Sequence, residues 1–535
     1  MSEKITNPVT VATSADLDSE SGIPGTIKLV DAKNELELQE SGDVILTPQP
    51  TSDPEDPLNW SKWRKLKAIV LSHLYTIAIA WSSAAVYSIL VPISVSTGLS
   101  VADLNGGSGT MLLFFGWGVL IWQPIAVTYG RRGVFLLSLL GTVAISAWTA
   151  HAPSYASWVS TRVLLGLVGA PIEVVPELVV TDLYFTHERG LHIGIYMFCL
   201  AGGNYLAAVF CGIINDQMGW QWVMYWCSII NAAAFVLLFF FYEETDYYRH
   251  TGFEASGQNL TATNENDTEA AASHKQRKTY LQKLKLFSYI SERPNEFWVY
   301  TYRPLVMFWT FPIVLWASCY HGVAVLCFNA LNATASVILS AEPYNFSSTD
   351  VGLAYISPLI GAIIGYRAIW SGKISDYICL RIARNNKEGL REAEYRLWAA
   401  IALCIVPPVG LIVWGVGAAQ HVHWFGIVFG MGMMGFALTT GGGIMIGYII
   451  DCYKELAGST MSSLNIMRCT MAFGFGYAVT PWWNSTGTQN TFITWAVLVL
   501  VLFASWIPMY IWGKKLRIRS KERYWKQVKS GVGIH

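Results

Sequence analysis

Charge is what this 535-residue chain has least of: 13% of it is Asp, Glu, Lys or Arg, about half the share of an ordinary soluble domain. Hydrophobic residues make up 53%. That balance defines a polytopic membrane protein rather than a large soluble core. The formal net charge is zero, so no electrostatic footprint points to a nucleic-acid partner. Signatures of chemistry are missing as well. There is no phosphate-cradling P-loop to support an ATP-driven pump, no Gly-x-Ser-x-Gly elbow, and no metal-ligand cluster. The expectation is therefore no enzyme, no metal and no cofactor. The nine cysteines contain no CxxC pair. Most of them (Cys199, Cys211, Cys227, Cys319, Cys327, Cys404) lie in apolar runs as small packing groups. The first 60 residues lack the apolar core of a cleavable signal, which leaves the first span as the insertion signal.

What is present is hydrophobic length. Twelve apolar stretches occur, at about 68–92, 109–128, 133–151, 157–181, 193–214, 222–242, 305–330, 351–370, 397–417, 424–450, 462–481 and 492–513. The loops after stretches 1, 3, 5, 7, 9 and 11 contain no Lys or Arg, whereas the alternate segments carry them. By the positive-inside rule both termini are cytoplasmic. The expected organisation is a disordered segment 1–60, a six-span half 61–242, a cytoplasmic linker 243–304, a second six-span half 305–513 and a basic tail 514–535. Trp60, Lys62, Trp63, Arg64, Lys65 and Lys67 form an interfacial anchor before the first span.

The fourth stretch holds an unusual stripe. Arg162, Gly166, Gly169, Glu173 and Glu177 recur at offsets of 0, 4, 7, 11 and 15, within an arc of about 80° on a continuous helix. Facing lipid would cost about 2.5–3.5 kcal/mol for each ionised group, so the stripe faces protein or a water-filled cavity. Glu173 falls near mid-membrane, with Glu177 a turn nearer the cytoplasm and Arg162 about 16 Å away on the other side. A buried carboxylate there can exchange protons or pair with a cationic substrate. It can equally be a structural carboxyl bonded to a neighbouring helix. The two glycines permit close helix packing.

The halves repeat weakly. Span 4 ends in Asp182-Leu-Tyr-Phe-Thr-His-Glu-Arg-Gly and span 10 in Asp451-Cys-Tyr-Lys-Glu-Leu-Ala-Gly; Gly130-Arg131-Arg132 after span 2 is echoed by Gly372-Lys-Ile-Ser-Asp376 with Arg381 after span 8. Internal repetition is how many secondary transporters are built. Further motifs are Asp56-Pro-Leu-Asn-Trp-Ser-Lys-Trp, Arg162-Val-Leu-Leu-Gly-Leu-Val-Gly-Ala-Pro-Ile-Glu, Gly203-Asn204, Gly219-Trp-Gln-Trp and Glu243-Glu-Thr-Asp-Tyr. Together, over residues 53–525, they resemble the major facilitator superfamily. More narrowly they resemble its fungal twelve-span drug:proton antiporter branch, which also contains polyamine and organic-cation permeases. Two positions depart from that pattern. Val127 stands where the loop 2–3 motif carries an acid, and Ala207-Ala208 where the antiporter motif has Gly-Pro.

The resemblance implies an all-α fold of twelve transmembrane helices in two six-helix halves, with spans 1, 4, 7 and 10 lining a central cavity. It makes Glu173 and Arg162 proton-coupling residues. Glu173, Glu177, Asn204, Trp316, Tyr320 and His321 become the candidate cavity residues, since aromatics beside a carboxylate suit an organic cation or a flat apolar molecule. Gly130, Arg131, Arg132, Asp182, Arg189, Asp376, Arg381 and Asp451 become a cytoplasmic gate of exchanging ion pairs, though anchoring and capping account for the same charges. Asn345, Asn332 and Asn484 head sequons in outside loops. The functional expectation is a monomeric plasma-membrane carrier that uses a proton gradient to export a small hydrophobic or cationic compound such as a drug or secondary metabolite. Uptake of polyamines or other organic cations is the alternative. A non-transporting membrane sensor is a third reading, disfavoured because a receptor need not keep the stripe.

Overall fold

In a computed structural model, the structure describes residues 24–28, 53, 55–152, 154–247, 282, 284–287, 297–369 and 390–529. The chain crosses from the face bearing its termini to the far face and back. Span 1 is Lys62–Ala84, extended by Leu90–Thr97; spans 2 and 3 are Val101–Tyr129 and Arg131–Thr149. Span 4 is broken into Tyr155–Gly169, a 3-10 turn Ala170–Glu173 and Val175–Leu183; spans 5 and 6 are Thr186–Met218 and Trp220–Phe241. After a helix at Phe297–Thr310 come span 7 (Pro312–Ser340), span 8 (Ser348–Ala354 and Ile356–Ile369), span 9 (Ala393–Ala400, then Ile401–Ala419) and span 10 (Trp424–Cys452).

Eleven stretches among the described residues are long and apolar enough to cross a membrane. The last of them contains two passes. The helix Ala457–Ala504 reverses at Gly487, whose φ of 74° a side chain would resist. The reversal brings the rings of Phe475 and Trp495 to 4.8 Å, and Trp506–Lys529 continues the twelfth span.

Span 7 begins later than its hydropathy suggests and runs further. Phe311 is extended and Pro312 cannot donate a backbone hydrogen bond, so the expected stretch 305–330 straddles two helices rather than filling one. The extension to Ser340 carries Asn332 inside the protein, 1% exposed and accepting a hydrogen bond from the Tyr355 hydroxyl at 3.1 Å. Asn332 is therefore not an outside-loop glycan acceptor. Asn345 is exposed in the span 7–8 connection, and Asn484 is exposed beside the Gly487 reversal.

The first six and last six spans pack as two bundles that meet along two seams, span 2 on span 11 and span 5 on span 8. Small residues make both seams. A side-chain carbon on Gly109 would lie 3.2 Å from the Gly476 Cα, and one on Gly212 would run into the Ser348 carbonyl oxygen. The first seam holds polar contacts at both ends: Asn105 Nδ2 donates to Thr480 Oγ1 (3.2 Å) and the Ser462 hydroxyl to Gln123 Oε1 (2.5 Å).

The N-terminal segment departs from the expected disorder in its described parts. β1 (Thr26–Lys28) pairs antiparallel with β2 (Leu390–Glu392). Asp56 caps a turn at Pro57–Asn59, Trp60 Nε1 donates to the Glu55 carbonyl (3.2 Å), and Arg64 bridges Glu55 (3.0 Å) while stacking on Trp60. Backbone pairing and ion pairs act here together with the burial of Leu58 and Trp60, and an averaged composition rule misses such short ordered pieces.

Candidate functional site

Two prolines shape the centre of the site. Pro171 and Pro176 lack the N–H groups that would reach the carbonyls of Leu167 and Ile172 four residues back. Span 4 unwinds between them, with Val174 at φ −137° and ψ −42°. The freed carbonyls are satisfied from other spans: Trp122 Nε1 donates to Leu167 at 2.7 Å and the Tyr196 hydroxyl to Ile172 at 2.6 Å. The Glu173 carbonyl at the break accepts from Asn465 Nδ2, across the seam in span 11, at 2.8 Å. Irregular backbone at membrane depth is tolerated where it is buried in protein or lines a cavity. The five-residue stripe is therefore not one continuous helical face.

Glu173 does not stand alone. Arg468 of span 11 forms an ion pair with its carboxylate, and Arg468 Nε donates to Asn465 Oδ1 at 3.1 Å. Glu173 is 7% exposed and Arg468 9%. The three residues close a ring of hydrogen bonds between the halves, which passes through the Glu173 main-chain carbonyl. Charges this buried persist only when paired and hydrogen-bonded, which the ring achieves. Sequence reasoning missed both Arg468 and Asn465. The rule that singled out Glu173, an ionisable residue inside an apolar stretch, applies equally to Arg468 in 462–481.

The ring borders a narrow central cavity; the space without protein atoms comes to about 800 Å³ when the open solvent at its mouth is included. Spans 1, 2, 4, 5, 7, 10 and 11 supply its wall, with Glu173, Arg468, Asn204 and His321 as its main polar groups. Asn204 accepts from the Ser83 hydroxyl (3.2 Å) and donates to the Leu200 carbonyl (2.8 Å). Phe328 packs against Tyr87 and Tyr205, with ring centroids at 6.1 and 5.6 Å, and joins spans 1, 5 and 7 at the cavity.

Other expected residues lie elsewhere. Trp316 and Tyr320 are not on the cavity wall: the Trp316 indole donates to the Ser505 hydroxyl at 3.0 Å, and Tyr320 packs on Phe503 at 5.0 Å. Because span 7 starts at Pro312, both sit in its first turns, packed against span 12. Glu177 is buried below Glu173, within electrostatic reach of both Glu173 and Arg468, but is not part of the cavity wall. Arg162 is buried and stacks on the Trp158 ring at 4.3 Å, also away from the cavity.

The charges at the termini-bearing face have described partners on the helix ends of their own half or on the linker that follows span 6, where Arg132 also donates to the Leu284 carbonyl. Arg131 pairs with Asp182 at 3.1 Å and Asp246 at 2.6 Å. Arg132 Nε donates to the Tyr242 carbonyl at 2.9 Å. Glu244 accepts the backbone N–H groups of Arg131 (2.9 Å) and Arg132 (3.0 Å), capping the start of span 3. Burial, with Asp246 beside it, pushes the Glu244 carboxyl above its ordinary range. Gly130 makes the turn into span 3 at φ 103°. Arg189 donates to the carbonyls of Tyr184 (3.0 Å) and Thr181 (2.9 Å). In the second half Asp451 pairs with Arg396 at 2.9 Å, while Arg517 pairs with Glu392 (2.6 Å) and Glu394 (2.5 Å). Asp376 and Arg381 lie outside the described residues. Expected as a gate of exchanging ion pairs, these described pairs fasten helix ends to one another within each half and, in the first half, to the start of the linker. The repeat survives in them: an Asp ending span 4 or 10 meets an Arg at the start of span 3 or 9.

Two helical bundles around a central polar cavity, with a broken helix and a charge pair joining them at mid-depth, define a multi-pass membrane transporter. The Major Facilitator Superfamily model matches residues 73–476, and the chain belongs to that family. Curated relatives agree. An uncharacterised MFS-type transporter of Schizosaccharomyces pombe is 30% identical, covering 94% of each chain. Protein HOL1 of Saccharomyces cerevisiae is 27% identical over 96% of this chain and 98% of its own. The multidrug transporter FLU1 of Candida albicans is 28% identical over 88% of this chain and 74% of its own. The crystal structure of the human organic anion transporter MFSD10 matches with a TM-score of 0.52 at 14% identity, over 83% of this chain and 99% of that one, a likeness of fold alone.

Proposed function

We propose that the protein is a proton-coupled carrier of small organic molecules, hydrophobic or cationic, that works by alternating access and exports its substrate. In this reading it sits in the plasma membrane with the termini-bearing face in the cytoplasm, as the one-sided distribution of Lys and Arg favours. One observation carries the proposal: Glu173, a buried carboxylate on the cavity wall at the break in span 4, is paired with Arg468 across the seam between the halves. A proton on Glu173, or a cationic group beside it, competes with Arg468 for the same carboxylate. Loading the site thereby weakens a bond that joins the halves, and unloading restores it. Arg162, stacked on Trp158, takes no part in that exchange. Export is the leading direction because relatives that match over 87% of this chain are named efflux pumps.

Uptake of polyamines or other organic cations is the second reading, favoured by Glu177, a second buried carboxylate beyond the one on the cavity wall. Accumulation of labelled spermidine and of rhodamine 6G in cells with and without the gene separates the two. Lower rhodamine with the gene supports export, higher spermidine supports uptake, and no change in either contradicts both. The exposed Asn345 is the proposed glycan acceptor; Asn345→Gln should abolish the glycosidase-sensitive gel shift.

A further inference from the structure

The termini-bearing face carries a contact that the central site does not use. Residues Thr26, Ile27 and Lys28 lie opposite Glu392, Arg391 and Leu390, so the N-terminal segment adds a strand to the backbone leading into span 9. The Pro24 carbonyl accepts from Arg517 Nη1, on the same guanidinium that pairs with Glu392 and Glu394. Gly25 turns the segment at φ 83°, and a side-chain carbon there would sit 3.0 Å from the Asp451 carbonyl oxygen and the Cys452 Cα. Only a residue without a Cβ takes both that conformation and that space. The seat is therefore built from three places: the approach to span 9, the last turn of span 10 and the extension of span 12.

A second anchor holds the same tail to the other half. Glu55 pairs with Arg64 at the start of span 1, and the Tyr247 hydroxyl, beyond span 6, donates to Asp53 at 3.3 Å. The 24 residues between the anchors can reach about 80 Å at 3.3–3.6 Å each. Linker length does not hold the halves together, so any effect on them comes from the seat.

We propose that Pro24–Lys28 is a detachable strap, a peptide ligand carried by the chain itself, which leaves its groove when the carrier changes state. Span 10 lines the cavity through Leu438, Thr439 and Gly442, and span 9 does not. If the cavity changes sides by alternating access, as proposed above, span 10 tilts against span 9. Gly25 rests on the end of span 10 while β1 is bonded to the approach of span 9, so the tilt shears the seat. A three-residue strand with one side-chain anchor is short enough to release and rebind in each cycle.

The test uses the full-length protein in native membranes, with Ile27→Cys and Arg391→Cys at facing positions and a protease site inserted between residues 40 and 41. After a short thiol-to-thiol linker is added and the chain is cut, the N-terminal fragment should stay with the body on a denaturing gel. Adding Gly25→Val should cut that yield at least fivefold. A yield no higher than for Ile27→Cys with Trp63→Cys, which is on the other half, overturns the seat. Asn204→Cys then reports the cavity through a membrane-impermeant maleimide applied to either face of oriented vesicles. The uncrosslinked protein should label from both faces, and the crosslinked one at least tenfold faster from one. Equal labelling from both faces after crosslinking shows a strap that never needs to leave, and overturns the proposal. Labelling from one face without any crosslink would instead count against alternating access itself.

Discussion

Removing Arg468 perturbs the centre of the molecule most cleanly. Arg468→Met keeps most of the side-chain volume, deletes the charge, and leaves the Glu173 carboxylate and Asn465 Oδ1 without their partner. The paired side chains are 11% and 9% exposed, so few waters can reach them to replace the lost bonds. Breaking one partner of a buried pair costs about 3–5 kcal/mol. At about 2–4 °C for each kcal/mol in a unit the size of one half, that lowers the melting temperature by about 6–20 °C. Glu173→Gln leaves a buried guanidinium facing a neutral amide and should cost a similar amount. The double variant, neutral at both positions, restores electrostatic balance and should recover about 2 kcal/mol or more of the summed loss. The assay is thermal unfolding of purified protein in one detergent, across wild type, both singles and the double. Losses that add to within about 0.5 kcal/mol would refute the pairing.

Tyr196→Phe deletes the hydroxyl that serves the Ile172 carbonyl. Leaving that acceptor unsatisfied should cost about 1–3 kcal/mol in the same unfolding assay, with no change in cavity charge. Gly212→Val forces span 5 away from the Ser348 backbone; labelling of Asn204→Cys from the far face should rise severalfold, and unchanged labelling would refute the close seam. Glu243 tests pH dependence outside the membrane. Burial pushes its carboxyl up, but the hydrogen bond from Lys67 and the charge of Arg64 outweigh that and hold it below the ordinary range. A depressed folded value contributes stability that is complete above the ordinary pKa of about 4.3 and lost as pH falls through the lower folded value. Wild-type stability should therefore decline from about pH 5 downward more steeply than that of Glu243→Gln; identical slopes would contradict the pairing.

Much of the architecture is legible in the chain because a bilayer imposes simple rules. Hydropathy locates twelve passes, and the alternation of Lys and Arg sorts their loops. Hydropathy fails where one apolar run contains two helices: Phe297–Thr310 and span 7 are separated by Phe311 and Pro312, a junction that changes no polarity. That shift alone explains why Trp316 and Tyr320 fall outside the cavity and why Asn332 is buried. The importance of Glu173 is visible from its type and depth. Its geometry is not, because a helical arc presumes an unbroken helix and Pro171 and Pro176 break this one. Partners are the least legible feature. The Glu243–Asp246 run reads as a motif but not as the cap and counter-charge of Arg131, and Arg468 reads as a lone cation until span 11 is laid against span 4. Such pairings join residues up to 295 positions apart, beyond the reach of any local pattern.

A proton at Glu173 is the event that would couple the gradient to the ion pair between the halves. Purified wild type and Glu173→Gln, reconstituted in liposomes with an imposed pH gradient, would be loaded with the compound identified in the accumulation experiment. Its movement would be followed with and without the gradient. Wild-type movement should accelerate at least tenfold with the gradient, while Glu173→Gln, present in equal amount and folded, should move the compound at one gradient-independent rate. Gradient-driven transport by Glu173→Gln equal to wild type would contradict the account.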